Sequence, residues 1–307
     1  MEIIRIQLKP TPKEGVSYDD VLAFCKEKGI IGVGWGALKT RKDDYWRIRD
    51  ELRHNYDQKS ATSGLKSINA LRKLSEGDLI WTRLGGDGSE YYLCRVGAKL
   101  WKDNVATQEH LDHDICQFVS VKWLYIGKED KVPGKVINSF IPALPAQRVT
   151  GVTELSKYIW DLNCGDEKLK YNDYGDFDFW SCIESEDLEC LILMYLQFKG
   201  YYIVSSTLKK STAKIEAAMI SRDGKTRCYQ QVKRDTPLKV EDYIDWVQNN
   251  EIMYLFTTSQ NYGVANSDKI KCITKGEIEL FVKEHPELIP DNVRYWLYIA
   301  SKSSSQT

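Results

Sequence analysis

The 307-residue chain has no apolar run near the roughly 18 residues a membrane-spanning helix needs, so a membrane partner is not expected. It also lacks any Cys-x-x-Cys pair. Eight cysteines are scattered at 25, 94, 116, 164, 182, 190, 228 and 272, with only four histidines beside them. A disulfide framework and a structural zinc site are therefore not expected, and reduced, buried thiols are. The opening Met-Glu-Ile-Ile-Arg has no export-signal pattern, which predicts a cytoplasmic protein. A dominant charge of either sign is missing too, since the formal net charge is −1. Residues 1–160 carry 25 Lys and Arg against 21 acids, and residues 161–307 carry 18 against 23. This modest split permits a nucleic-acid contact in the first half without requiring one. What remains, 42% hydrophobic and 28% charged residues, describes an ordinary globular protein long enough for two domains.

Residues 3–9 alternate as Ile-Ile-Arg-Ile-Gln-Leu-Lys and predict an opening strand. Ser17 with Asp20 forms a capping-box pattern, followed by a helical apolar face that ends at Lys28-Gly29. The string Gly29-Ile-Ile-Gly-Val-Gly-Trp-Gly follows a helix and lacks the third-glycine spacing of a dinucleotide fingerprint. A short strand ending in an exposed turn beside Trp35 fits it better. Residues 40–60 are highly charged, and Ile68, Leu71 and Leu74 predict a helix running to Gly77. Strands are expected over Asp78–Arg83, Glu90–Gly97 and Cys116–Ile126, the first two joined by a turn, Gly85-Gly-Asp-Gly-Ser. Short strands with interspersed helices predict an α+β domain built on a small mixed β-barrel.

Aromatic residues recur beside positive charge in this half. Trp35, Trp81 with Arg83, Tyr92 with Arg95, and Trp101 beside Lys102 are candidates for base stacking and phosphate contact. The plainer reading makes most of these tryptophans core residues of a small β domain, with Trp35 and Trp81 the better candidates for exposure. Gly-Val-Gly-Trp-Gly, Gly-Asp-Leu-Ile-Trp-Thr-Arg, Tyr-Tyr-Leu-Cys-Arg-Val and Val-Pro-Gly-Lys-Val-Ile-Asn-Ser-Phe (132–140) together resemble the PUA/EVE-like modules that precede nuclease domains in bacterial defence proteins. The resemblance covers roughly residues 1–150 and implies a recognition domain over 1–163. It implies acceptance of a flipped, modified base, such as a modified cytosine, into an aromatic pocket.

Residues 151–163 predict a short amphipathic helix, and the polar stretch 164–178 is the linker candidate. A helix is expected from about Glu184 to Gly200, its acids crowding the first turn. A strand from Tyr201 then leads into a hairpin, Lys214 to Arg234, turning at Asp223-Gly224. Its first strand carries Glu216. Its second carries Gln231 and Lys233, which share a face at a spacing of two. A helix over 240–249, a strand over 252–259 and a helix over 276–285 complete residues 179–300, and 301–307 reads as a disordered tail.

That order of elements resembles the Mrr-like branch of the restriction-endonuclease-like, PD-(D/E)XK, nucleases. The resemblance rests on Glu189, on Glu216, on Gln231-Val232-Lys233 and on Phe256-Thr-Thr-Ser. It implies an α/β domain with a central mixed sheet flanked by helices, and a phosphodiesterase dependent on Mg²⁺ or Mn²⁺. Glu216 and Gln231 would be the metal ligands, Lys233 the water-orienting group and Glu189 the supporting acid. Two departures stand out: Glu216 occupies the place where the family usually has aspartate, and Gln231 supplies no negative charge. The expected partner is double-stranded DNA, cut by a homodimer of restriction or antiviral-defence type. Two alternatives remain open: a nucleic-acid-binding or assembly protein that keeps the nuclease fold but has weakened catalysis, and an RNA-directed nuclease.

Overall fold

The computed structural model describes residues 1–41, 44–84, 90–141, 144–172, 179–208 and 215–303. The predicted turn at 85–89, residue Lys214, the last part of the linker candidate (173–178) and the end of the tail (304–307) lie outside them. The chain divides into two compact units that meet in sequence between Cys182 and Ile183. Both are mixed α+β structures.

In the first unit the elements are β1 (Ile3–Leu8), α1 (Tyr18–Lys28), β2 (Ile30–Val33), α2 (Tyr45–Asn55), α3 (Gln58–Leu71), β3 (Leu79–Leu84) and β4 (Tyr91–Val96). They continue with α4 (Gln108–Asp112), β5 (Gln117–Gly127), α5 (Gly134–Ser139), β6 (Ala146–Arg148), α6 (Thr153–Asn163) and α7 (Phe179–Cys182). The strands form one mixed sheet in the order β2-β5-β4-β3-β1-β6. Among the described residues of this sheet only β1 and β3 run parallel. β5 is long and pairs with β4 through an irregularity between Tyr91 and Tyr92, and β2 also approaches β1, so the sheet curls. The predicted capping box closes α1: Ser17 Oγ accepts from Asp20 N–H while Asp20 Oδ2 accepts from Ser17 N–H. Ile4, Ile6, Val21, Phe24, Ile31, Ile48, Leu52, Ile68 and Leu71 fill the space between the sheet and α1–α3.

Arg5, inside β1, is completely buried. Its Nε donates to Ser139 O (2.8 Å), other guanidinium N–H groups reach Leu144 O and Gln147 Oε1, and burial lowers its pKa to about 10. These bonds tie β1 to Ser139, Leu144 and Gln147. The linker candidate is docked as far as Asn172. Asp161 accepts from the backbone N–H groups of Tyr171 and Asn172, Trp160 Nε1 donates to Leu169 O, and Tyr171 Oη donates to Gly77 O.

The second unit contains α8 (Ser185–Phe198), β7 (Tyr201–Ile203), β8 (Ala217–Ser221), β9 (Arg227–Lys233), β10 (Glu251–Thr257), β11 (Ile270–Cys272), α9 (Lys275–Glu284) and α10 (Asp291–Ser303). Its sheet has the order β11-β10-β9-β8-β7. β7, β8 and β9 are antiparallel, whereas β9, β10 and β11 are parallel. The hairpin turn closes as predicted: Ser221 N–H reaches Thr226 O, and Gly224 N–H reaches Ser221 O. The predicted helix over 240–249 does not form. Leu238 and Val240 instead donate backbone N–H groups to Asn261 O and Tyr262 O, and only a 3₁₀ turn follows at Val240–Asp242. The β-branched and aromatic residues of this segment pay little toward a helix and much toward packing. Leu238, Val240, Tyr243 and Val247 cover Met253, Leu255 and Ile270. The cysteines are thiols, most of them buried as expected, although Cys190 is exposed and Cys272 half-buried. No described helix is long and apolar enough to cross a membrane.

Candidate functional site

β9 is the central strand of its sheet, so its inward side chains are held from both sides. Glu216 lies just before β8, where its backbone N–H donates to Gln230 O at 2.9 Å. That places its side chain beside Gln231 and Lys233. Lys233 Nζ donates to Glu216 Oε1 at 2.8 Å, and Gln231 Nε2 donates to the same oxygen at 3.0 Å. Glu216 Oε2 takes no hydrogen bond among the described residues. Gln231 is buried, and its Oε1 has no hydrogen-bond partner among the described residues. A buried carbonyl left in that condition costs about 1–3 kcal/mol, and Gln230 Oε1 next to it is in the same condition.

Glu189 comes from α8, which is fastened to the sheet where Gln230 Nε2 donates to Glu189 O (3.4 Å). Burial raises the pKa of its carboxyl, the negative charges of Glu216 and Glu186 raise it further, and Lys233 partly opposes them. Of the four residues singled out from the sequence, Glu216, Gln231 and Lys233 are in direct contact, whereas Glu189 is linked to them only through charge. The Thr-Thr-Ser stretch fixes the chain beyond Lys233. Thr257 pairs with Lys233 in register, Thr257 Oγ1 donates to Thr236 O (2.6 Å), and Thr258 Oγ1 donates to Asp235 Oδ1 (2.9 Å). Tyr243 escaped the sequence reading. Burial raises its pKa first, with contributions from the charges of Asp242 and Glu216, which puts its phenol within electrostatic reach of the cluster.

A set of hard oxygen donors, one carboxylate with a free oxygen, one unpartnered amide carbonyl and a second carboxylate nearby, suits a small divalent cation that keeps several waters. No group of three or more His, Cys, Asp and Glu side chains poised to hold a metal occurs among the described residues.

The six candidate base-binding residues of the first unit separate. Trp35 is half-buried and lines a cavity of about 360 Å³, together with Tyr56, Ser60, Asp114 and the chain at Gln7–Thr11 and Gly32–Gly36. Its Nε1 donates to Ser60 O at 3.2 Å. Gly64 on α3 allows this placement, because a Cβ there would lie 2.7 Å from Trp35 Nε1.

The other five do not line it. Trp81 is fully buried, with Nε1 donating to Ser156 Oγ (2.9 Å), and Trp101 is 2% exposed, with Nε1 donating to Gln117 Oε1 (3.0 Å). Both are core residues and present no face to a base, a correction to their reading as stacking platforms. The apolar packing of β3 under α6 claims Trp81, and the Gln117 amide anchors Trp101. Tyr92 is 5% exposed beneath the Lys26 ammonium, 4.1 Å from its ring centroid. Arg83 donates to Tyr91 Oη (2.9 Å) and lies over the Phe140 ring, and Arg95 lies over Tyr171. Compared with known proteins, the chain matches no family model, no curated protein and no solved structure.

Proposed function

We propose that the chain is a metal-dependent DNA endonuclease of the restriction-endonuclease-like class, Mrr-like in its second unit. In this reading the first unit, PUA/EVE-like, selects DNA by receiving a base in the Trp35 cavity. One observation carries the proposal: on neighbouring strands, the Lys233 ammonium and the Gln231 amide converge on one oxygen of Glu216, with Glu189 close enough to feel their charges.

A phosphodiester resists hydrolysis because its own charge repels the nucleophile. Mg²⁺ or Mn²⁺ bound at Glu216 and Gln231 would offset that charge and acidify a water. The chain's own groups then have distinct parts. Glu216 fixes Lys233 through a short charge-assisted hydrogen bond. The Lys233 ammonium, itself partly open to solvent, orients the attacking water or offsets charge that develops on the phosphoryl oxygens. Glu189, held with a raised pKa, is suited to share a proton or to contact the cation through water. In the first unit, a base leaving the stack costs a few kcal/mol, and the Trp35 indole can return part of that by stacking. Cutting both strands needs two such sites, so a homodimer on DNA is part of the proposal.

The small carboxylate count favours one second reading, a nucleic-acid-binding or assembly protein with this fold and no chemistry. A cleavage panel separates the readings. Unmodified, 5-methylcytosine and 5-hydroxymethylcytosine duplexes and an RNA of the same sequence are incubated with Mg²⁺ or Mn²⁺. The proposal expects metal-dependent DNA products, with yield differing among the modifications. Binding without products supports the second reading, equal cutting of all DNAs removes the base-selecting role, and cutting of RNA alone makes RNA the substrate.

A further inference from the structure

The Trp35 cavity has a wall that the aromatic residues do not explain. At about 360 Å³ it falls in the range, about 300–1,000 Å³, of pockets that enclose small ligands. Two of its lining residues, Trp35 (φ 60°) and Asp114 (φ 53°), hold left-handed backbone conformations that side chains seldom adopt. Such outliers collect where a site needs a side chain in one place. Asp114 lies against the end of β2 because residue 34 is glycine; a Cβ there would fall 2.5 Å from Asp114 Oδ1. The Asp114 Oδ2 atom accepts from Thr11 N–H at 2.8 Å. Its Oδ1 accepts no hydrogen bond among the described residues.

We propose that Asp114 determines which base the cavity takes, and that the ligand is a base with an exocyclic amine rather than thymine or uracil. This rests on the reading of the Trp35 cavity as a base site. An ionised carboxylate only accepts hydrogen bonds, so it attracts an amine and opposes a carbonyl. Cytosine and uracil have the same ring size and differ at this edge, the first offering an amine and the second a carbonyl. Substituents on ring carbon leave the amine in place. Burial also raises the Asp114 pKa, which marks a carboxylate short of solvation and one that gains from a donor.

Asp114→Asn gives a directional test. Asparagine tolerates the left-handed conformation, and its amide oxygen can keep the Thr11 N–H bond. Its NH₂ then replaces the free carboxylate oxygen, so the wall changes from acceptor to donor. The full chain, in EDTA to prevent cleavage, is titrated by fluorescence anisotropy with duplexes holding one cytosine or one uracil opposite an abasic position. The wild type is expected to bind the cytosine duplex at least about tenfold more tightly. Asp114→Asn is expected to abolish or invert that ratio, and Trp35→Ala to weaken both duplexes to the level of a fully paired control. If the wild type shows no preference, or Asp114→Asn preserves it while Trp35→Ala abolishes binding, the Asp114 assignment is overturned and the cavity reading stands. If Trp35→Ala changes nothing, the cavity reading itself falls. Failure to bind either duplex above the control overturns both.

Discussion

Glu189→Gln should make the protein more stable at neutral pH, the opposite of what deleting a useful contact would do. The Glu189 carboxyl is half-buried, and its pKa is raised by that burial and by the charges of Glu216 and Glu186. A raised folded-state pKa means that the folded chain holds this proton more tightly than the unfolded chain. Stability therefore falls as pH climbs from the ordinary glutamate range through the raised value, and the deficit stays constant above it. Like charges three residues apart on a helix, as Glu186 and Glu189 are, repel by about 0.2–0.5 kcal/mol, and the Glu216 charge adds to this, so the expected deficit is about 0.5–1 kcal/mol. Urea unfolding of wild type and Glu189→Gln in EDTA, from pH 4 to pH 8, measures it. The variant should gain about 0.5–1 kcal/mol at pH 7–8 and nothing near pH 4. Mg²⁺ should erase much of the difference by stabilising the wild type more, since a cation between the carboxylates removes their repulsion. A variant less stable than wild type at pH 7, or a difference that ignores pH, would refute the reasoning.

Gly64→Ala should stabilise α3 locally by about 0.5–1 kcal/mol, yet its Cβ meets the Trp35 indole at 2.7 Å. The indole must move, at an overpacking cost of about 1–3 kcal/mol, so thermal melts should show a small net loss and anisotropy a marked loss of duplex binding. Trp81→Ala should cost about 3–5 kcal/mol in urea unfolding, because it empties a fully buried indole site and strands Ser156 Oγ. The cytosine-to-uracil binding ratio of the folded fraction should not change. A normal fold with a lost ratio would return Trp81 to the base site.

Local patterns carried much of this architecture into the sequence. Alternation marks β1, the Ser17–Asp20 pair marks the start of α1, and Asp223-Gly224 marks the β8–β9 hairpin with Glu216, Gln231 and Lys233 on it. These signals are short-range, and so are the forces behind them. The errors have long-range causes. The segment over 240–249 has helical spacing at Val240, Tyr243 and Val247, but it forms only turns, with these side chains packed on Met253, Leu255 and Ile270 from elsewhere in the chain. Trp81 and Trp101 sit beside basic residues in the chain, whereas their environments are set by Ser156 and Gln117, far along it. Asp114 carries no local signal at all. It shares a cavity with Trp35 because β2 and β5 pair, and the glycine at residue 34 leaves room for its carboxylate.

The central claim is that Lys233 and Glu216 form a hydrolytic centre, and one comparison tests it directly. Single-turnover cleavage of plasmid DNA with Mg²⁺ is followed for wild type, Lys233→Met and Glu216→Gln, each shown by urea unfolding to be folded. Lys233→Met keeps the side-chain length and loses a charge-assisted bond to a partly exposed partner, so stability should change by only about 1–2 kcal/mol. The account predicts a rate at least about 10²-fold lower in both variants, the scale on which losing one transition-state donor is felt. Metal-dependent cleavage within about threefold of wild type in either folded variant would contradict it.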